Sequence, residues 1–275
     1  MSQDLNIRLT AGDDAVLLLH GLAGSPLEMR YVANALHRDG FSVEVPHISG
    51  YGYGSAASHW REWYAHVVAS FERLKRDYRT VSVGGLCIGA VLAISLAAEK
   101  RAEVAALSLM STTLFYDGWG LPWYRFLMPL GFYPPLRSRY AYREREPFGI
   151  KNAILRQRIA RLMKLGFSEA GAARTTMDHL FHASRLIRHA IGKLGEIMAP
   201  ALVIHAIDDD TASTKSADLV VDRIGSSEVR KIYLDDSYHI ITMDNERERV
   251  ARETSAFVRE HVTAAPAGTA TAAPR

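Results

Sequence analysis

The chain has 275 residues, 48% hydrophobic and 23% charged, with a formal net charge of +3, the proportions of an ordinary soluble globular protein. That length suits one large α/β domain with an insertion, not two independent cores. A single cysteine excludes an intramolecular disulfide and favours a reducing compartment, the cytoplasm, while Met1–Thr10 has no signal pattern and no apolar run approaches the ~20 residues of a membrane span.

A strand is predicted at Ile7–Thr10 and a second at Val16–His20, where Ala15–Leu19 is continuously apolar, as in a strand buried on both faces. The second runs into His20-Gly21-Leu22-Ala23-Gly24-Ser25-Pro26. Ser25 can cap a helix there, Pro26 suits its first position and Glu28 completes a capping box. A strand that ends in His-Gly before a glycine-rich turn suits an oxyanion donor, placed on the Leu22 N–H. The plainer reading is an ordinary strand-to-helix loop. A strand follows at Phe41–Pro46, then a helix in which Trp60, Trp63, Val67, Phe71 and Leu74 recur at three- and four-residue steps. That stripe reads as core packing and not as a cofactor box.

The strand Val81–Gly84 ends in Gly85-Leu86-Cys87-Ile88-Gly89, with a helical pattern directly behind it. This is the strand–turn–helix setting of a nucleophile elbow, with cysteine at its centre. The turn would lift the Cys87 sulfur above the sheet, and the Ile88 N–H at the helix start would supply an oxyanion donor. The competing reading is a small buried hydrophobe.

After a strand at Val104–Met110 the pattern changes. Residues 113–195 lose strand signals, gather aromatics and prolines, and carry two helical segments, 150–165 and 169–191. They form a predicted helical cap between core segments 1–112 and 196–262. The cap has 14 basic and 5 acidic residues, a balance of +9, which leaves 19 against 25, or −6, elsewhere. A basic cap attracts anions; the plainer reading is solvation of exposed helices. Nucleic acid is excluded as a partner, because the aromatics cluster with prolines instead of lining a basic groove.

The strand Ala201–Ala206 precedes Asp208-Asp209-Asp210, and a carboxylate just past a parallel strand can orient a histidine. A last core strand, Val229–Leu234, is followed by Ser237-Tyr238-His239-Ile240-Ile241 and a polar helix from about 245 to 262. Residues 263–275 read as a disordered tail. The order nucleophile, Asp, His is that of an α/β-hydrolase. Cysteine and histidine spacings match no zinc site, and no metal or cofactor is expected.

Taken together these motifs resemble the α/β-hydrolase superfamily over nearly the whole chain, in its bacterial carboxylesterase and monoacylglycerol-lipase branch. The resemblance implies a doubly wound, mostly parallel sheet with an inserted helical cap. It also selects among the aspartates: in that family the acid lies three residues past a small residue closing the strand, and counting from Ala206 gives Asp209. The implied catalytic set is Cys87, Asp209 and His239. Two departures stand out. Family members carry serine at the position of Cys87, and many carry Gly-His-Gly where this chain has Gly50-Tyr51-Gly52-Tyr53-Gly54.

Thiolate is a better leaving group than alkoxide, so its adduct with an oxygen ester tends to fall back, whereas attack on a thioester carries no such penalty. The expected function is therefore an acyl-thioester or ester hydrolase, or an acyltransferase, passing through an acyl-cysteine. Its substrate would be a small molecule with an apolar acyl group, either anionic itself or carried on CoA or a carrier protein, with peripheral membrane contact through the cap as a further expectation. Two alternatives are a carboxylesterase or monoacylglycerol lipase whose native serine was replaced by cysteine, and a non-catalytic binding protein of this fold.

Overall fold

The computed structural model describes residues 5–263. The tail expected at 263–275 lies outside the described residues, apart from the backbone of Thr263 at the end of the last helix.

Strands β1 (Ile7–Leu9) and β2 (Asp14–Leu19) precede helix α1 (Arg30–Arg38) and strand β3 (Ser42–Val45). Helix α2 (Trp60–Asp77) leads to β4 (Thr80–Leu86), α3 (Ile88–Lys100) and β5 (Val104–Met110). The inserted region holds α4 (Leu136–Arg139), β6 (Ala141–Arg143), α5 (Ala153–Met163), β7 (Phe167–Ser168), β8 (Gly171–Ala172), β9 (Arg174–Thr176) and α6 (Met177–Ile191). The chain then returns through β10 (Ala201–Ala206), α7 (Lys215–Arg223), β11 (Val229–Leu234) and α8 (Arg247–Thr263).

The main sheet has the order β1-β3-β2-β4-β5-β10-β11. Every pairing is parallel except β1 with β3. Side chains alternate across a strand, so β2 sends Leu17 and Leu19 into one core and Val16 and Leu18 into the other. The first core is covered by α2, α3 and α6, the second by α1 and α8. Helix α3 is buried from Ile88 to Ala98, which explains its lack of a polar stripe. The aromatic stripe of α2 is core: Trp63 and Phe71 are fully buried, and the Trp63 Nε1–H donates to Gly50 O at 2.7 Å.

Chain direction across the sheet reverses between β2 and β4. The loop after β2 leads through α1 to β3 on one side, and the loop after β4 leads through α3 to β5 on the other. Such a switch point opens a crevice at the C-terminal strand ends. Both the glycine-rich loop and the elbow lie there.

The inserted region differs from expectation. A helix predicted over 169–191 begins only at Met177, and two short ribbons occupy the space before it: β7 pairs with β8, and β6 with β9, both antiparallel. The reason is local. Gly166 and Gly171 adopt φ of +100° and +106°, outside the helical region. Thr175 and Thr176 are β-branched and favour the strand, and the Thr176 hydroxyl caps α6 by accepting the His179 N–H at 3.3 Å. Among the described residues no helix is long and apolar enough to cross a membrane.

Candidate active site

Cys87 occupies the turn between β4 and α3 at φ +58° and ψ −120°, a strained conformation for a residue with a side chain. The two flanking glycines are sterically required. A Cβ on Gly85 would lie 2.3 Å from Gly89 O, and one on Gly89 would lie 2.3 Å from Leu19 O. With both contacts open, α3 comes close to the end of β2. Cys87 is half-buried and faces a cavity of about 510 Å³. Its sulfur accepts a hydrogen bond from the Thr113 hydroxyl at 3.4 Å.

His239 and Asp209 line up behind it. The His239 Nδ1 meets both Asp209 oxygens, at 2.9 and 2.8 Å. Asp209 Oδ1 also accepts the N–H groups of Thr211 and Ala212, each at 2.8 Å. Burial opposes the Asp209 charge, but His239 and these amides outweigh it and hold the carboxyl below the usual range. Burial likewise disfavours a charged His239, yet the Asp209 carboxylate and Cys87 hold its imidazole well above the ordinary value. The other ring nitrogen, Nε2, meets no nitrogen or oxygen of the protein, the Cys87 side chain is the group that acts on the ring from that side, and the ring lines the cavity that Cys87 faces. An Nδ1 fixed by a carboxylate and an Nε2 beside a thiol is an arrangement able to exchange a proton with sulfur.

The glycine-rich loop is fixed from three sides. The Ser25 hydroxyl accepts the Leu27 N–H at 3.3 Å, and Pro26–Met29 forms a turn of 3-10 helix leading into α1. Glu28 interacts with the Ser25 backbone N–H as a capping box requires, but its carboxylate also accepts the Gly21 N–H at 2.8 Å. From the β3 side, the Ala23 N–H donates to Tyr51 O at 3.0 Å and the Tyr53 N–H to Gly24 O at 2.8 Å. From β8, the Ala172 N–H donates to Ala23 O at 3.0 Å. Among the described residues neither the Leu22 nor the Ile88 N–H has an acceptor within the protein. Ile88 follows Cys87 in the chain, and Leu22 follows Gly21, where an added Cβ would lie 3.6 Å from the Cys87 Cβ.

Several contributing groups escape a reading of the sequence. Asp210 is buried, accepts the Gly149 N–H at 3.1 Å and the His239 N–H at 3.3 Å, and so ties the histidine loop to the inserted region. Its neighbour Asp208 is exposed and faces Lys151 at 3.4 Å. Burial along this turn sets the exposed Asp208 apart from the buried Asp209 and Asp210, and only the fold reveals it. Tyr51, in the loop Gly50-Tyr51-Gly52-Tyr53-Gly54, is fully buried and its hydroxyl donates to His20 O at 2.7 Å. Glu28 and Glu144 line the cavity, and burial pushes both carboxyls up to about 7. No cluster of three or more metal-ligating side chains exists among the described residues.

The cavity wall is apolar on the side of the inserted region, with Leu121, Leu127, Met128, Met163, Met177 and Leu180. Other aromatics of that region point outward: Trp123 is 79% exposed, Tyr133 68% and Phe126 66%.

The profile of the family described as serine aminopeptidase S33 matches residues 11–246. Among characterised proteins, a thermostable monoacylglycerol lipase of Bacillus sp. (strain H-257) is 26% identical, the match covering 91% of this chain and 92% of the lipase. A carboxylesterase of Bacillus subtilis (strain 168) is 23% identical over 90% of this chain and 94% of that protein. A solved structure from work on two metagenome-derived lipolytic enzymes, LipS and LipT, superposes with a TM-score of 0.81 at 24% identity, covering 95% of this chain and 99% of that one. Sheet order, crossing point and matched sequence agree, and the chain belongs to the serine aminopeptidase S33 family of α/β-hydrolases.

Proposed function

We propose that the protein is an acyl-ester and acyl-thioester hydrolase or acyltransferase that works through a covalent acyl-Cys87. The observation that most supports this reading is the His239 ring, held on both Asp209 oxygens at 2.9 and 2.8 Å with Nε2 in the cavity faced by Cys87. In this mechanism His239 takes the thiol proton and the thiolate adds to the acyl carbonyl carbon. The carbonyl electron pair moves onto oxygen, where the Leu22 and Ile88 N–H groups receive it. Collapse restores the carbonyl and expels the leaving thiolate or alkoxide, which takes the proton from His239. Water or another acceptor, deprotonated by His239, then attacks the acyl-cysteine and frees Cys87.

Residues 113–195 act as the cap in this reading. Their apolar wall holds the acyl chain. Arg125, Arg143 and Arg145 at the cavity wall suit an anionic portion of the substrate, such as a CoA or carrier phosphate. The outward aromatics Trp123, Phe126 and Tyr133 suit transient contact with a lipid surface. A lone working thiol suits the cytoplasm. Simple ester hydrolysis is the second reading, and the names of the two Bacillus relatives favour it.

Two substrate series separate these readings. Activity should rise with acyl length until the cavity fills, each buried methylene adding about 0.8 kcal/mol. A thioester should react faster than the oxygen ester of the same acid. Equal rates, or faster oxygen esters, would leave a carboxylesterase with an unusual nucleophile.

A further inference from the structure

Strand β5 ends at Met110, and the next residue, Ser111, adopts φ +44°. A non-glycine residue takes that conformation at an energetic cost, so surrounding bonds must impose it. The Ser111 N–H donates to Ile204 O at 2.9 Å, and the Cys87 N–H donates to Met110 O at 3.0 Å. These bonds tie the kink to β10 on one side and to the elbow on the other. The kink carries Thr113 to the elbow, where it is fully buried.

The Thr113 hydroxyl has two acceptors within reach, the Cys87 sulfur at 3.4 Å and Ser111 O at 3.3 Å. It has one proton to give. A neutral thiol is a weak acceptor and loses to a carbonyl, whereas a thiolate is charged and draws the shorter, stronger bond. The direction of the hydroxyl therefore follows the charge on sulfur. The other groups that sense this charge are His239, which becomes the cation, and the phenols of Tyr51 and Tyr116. The Tyr51 proton is already committed to His20 O. Among the described residues Thr113 supplies the one hydroxyl hydrogen-bonded to the sulfur.

We propose that Thr113 is a positioning residue that donates its hydroxyl proton to the Cys87 thiolate formed when His239 takes the thiol proton, and so stabilises the charged nucleophile. On acylation the sulfur loses its charge to the new S–C bond, and the Thr113 proton turns back to Ser111 O. This rests on the reading of Cys87 as the nucleophile paired with His239. It goes beyond that reading by giving the thiolate a second, neutral partner that is not part of the Asp–His set.

The chain has 1 cysteine, so iodoacetamide alkylation followed against pH reports Cys87 alone. Removing a hydrogen bond to a charged group should raise the midpoint of that curve by about one pH unit in Thr113→Val. Thr113→Ser keeps the hydroxyl and should leave the midpoint in place. The rate of acylation in Thr113→Val should fall about tenfold below the midpoint, with little change in KM. If the valine variant misfolds, Thr113→Ala must give the same shift. An unchanged midpoint in folded Thr113→Val, alongside a shifted one in His239→Gln, would overturn the role of Thr113 and leave the Cys–His pair standing. A midpoint insensitive to both substitutions would overturn the pair itself, and the proposal with it.

Discussion

Asp209→Asn tests how the histidine is held. Both Asp209 oxygens face the His239 Nδ1, and Oδ1 is also committed to the N–H groups of Thr211 and Ala212. In the asparagine variant the amide oxygen stays on those two N–H groups, because nothing else there can accept them. The NH2 then replaces Oδ2 and donates to Nδ1. The ring must carry its proton on Nε2, pointing toward the sulfur, and can no longer take the thiol proton. Its cation also loses the carboxylate that held the imidazole above its ordinary value. In a serine protease triad the same exchange lowers turnover about 10⁴-fold. A thiol needs less help than a hydroxyl, so a loss of about 10²–10³-fold is expected here, or about 3–4 kcal/mol of transition-state stabilisation. Single-turnover acylation by a thioester reads this directly, with a thermal melt to confirm the fold. Asp208→Asn is the control: Asp208 is exposed beside Lys151, and its loss should change the rate less than about twofold. A silent Asp209→Asn with a damaging Asp208→Asn would show that the wrong carboxylate had been assigned.

Three other outcomes follow from the same geometry. The folded-state value of Glu28, about 7 against an ordinary 4.5, means that the native state binds the proton more tightly than the unfolded chain. Glu28 should therefore make stability fall by on the order of 3 kcal/mol as pH rises from about 4.5 to about 7; Glu144, raised to the same value, adds to this slope, so Glu28→Gln should reduce the slope of the Tm–pH curve there without abolishing it, and an unaltered slope would contradict a buried, proton-binding Glu28. Gly89→Ala puts a Cβ 2.3 Å from Leu19 O and 2.4 Å from His20 O, both backbone atoms that cannot rotate away. It should cost at least about 1–3 kcal/mol in denaturant melts and lower activity with it, and a neutral melt would show that the elbow is looser than described. Asp210→Asn should lower kcat, because Asp210 holds the His239 backbone N–H and its carboxylate also acts on the His239 charge; an unchanged kcat in the folded variant would count against that role.

Strands β2, β5 and β10 were legible because each is a short, mostly apolar run bounded by turn residues and buried almost throughout. The elbow was legible because its two glycines are demanded by contacts under 2.5 Å, which no other residue tolerates. The choice of Asp209 needed the resemblance, since three consecutive aspartates are equivalent until the fold buries two and exposes one. Strands β8 and β9, which fall within the helix expected at 169–191, were misread, because the local pattern hid how Gly166 and Gly171 turn the chain. Tyr51, Asp210 and Thr113 were invisible for a different reason. Each acts across 26 to 31 residues of chain, on His20, His239 and Cys87, and no local pattern encodes such a partner.

The central claim is that an acyl group passes through the Cys87 sulfur. Intact-mass analysis of the protein, quenched in acid during turnover of a medium-chain acyl thioester, tests it most directly. The account predicts a mass increase equal to the acyl group, confined to the peptide containing Cys87 and released by hydroxylamine. It also predicts that Cys87→Ala gives neither adduct nor turnover. Sustained turnover by Cys87→Ala, or an adduct on any other residue, would contradict it.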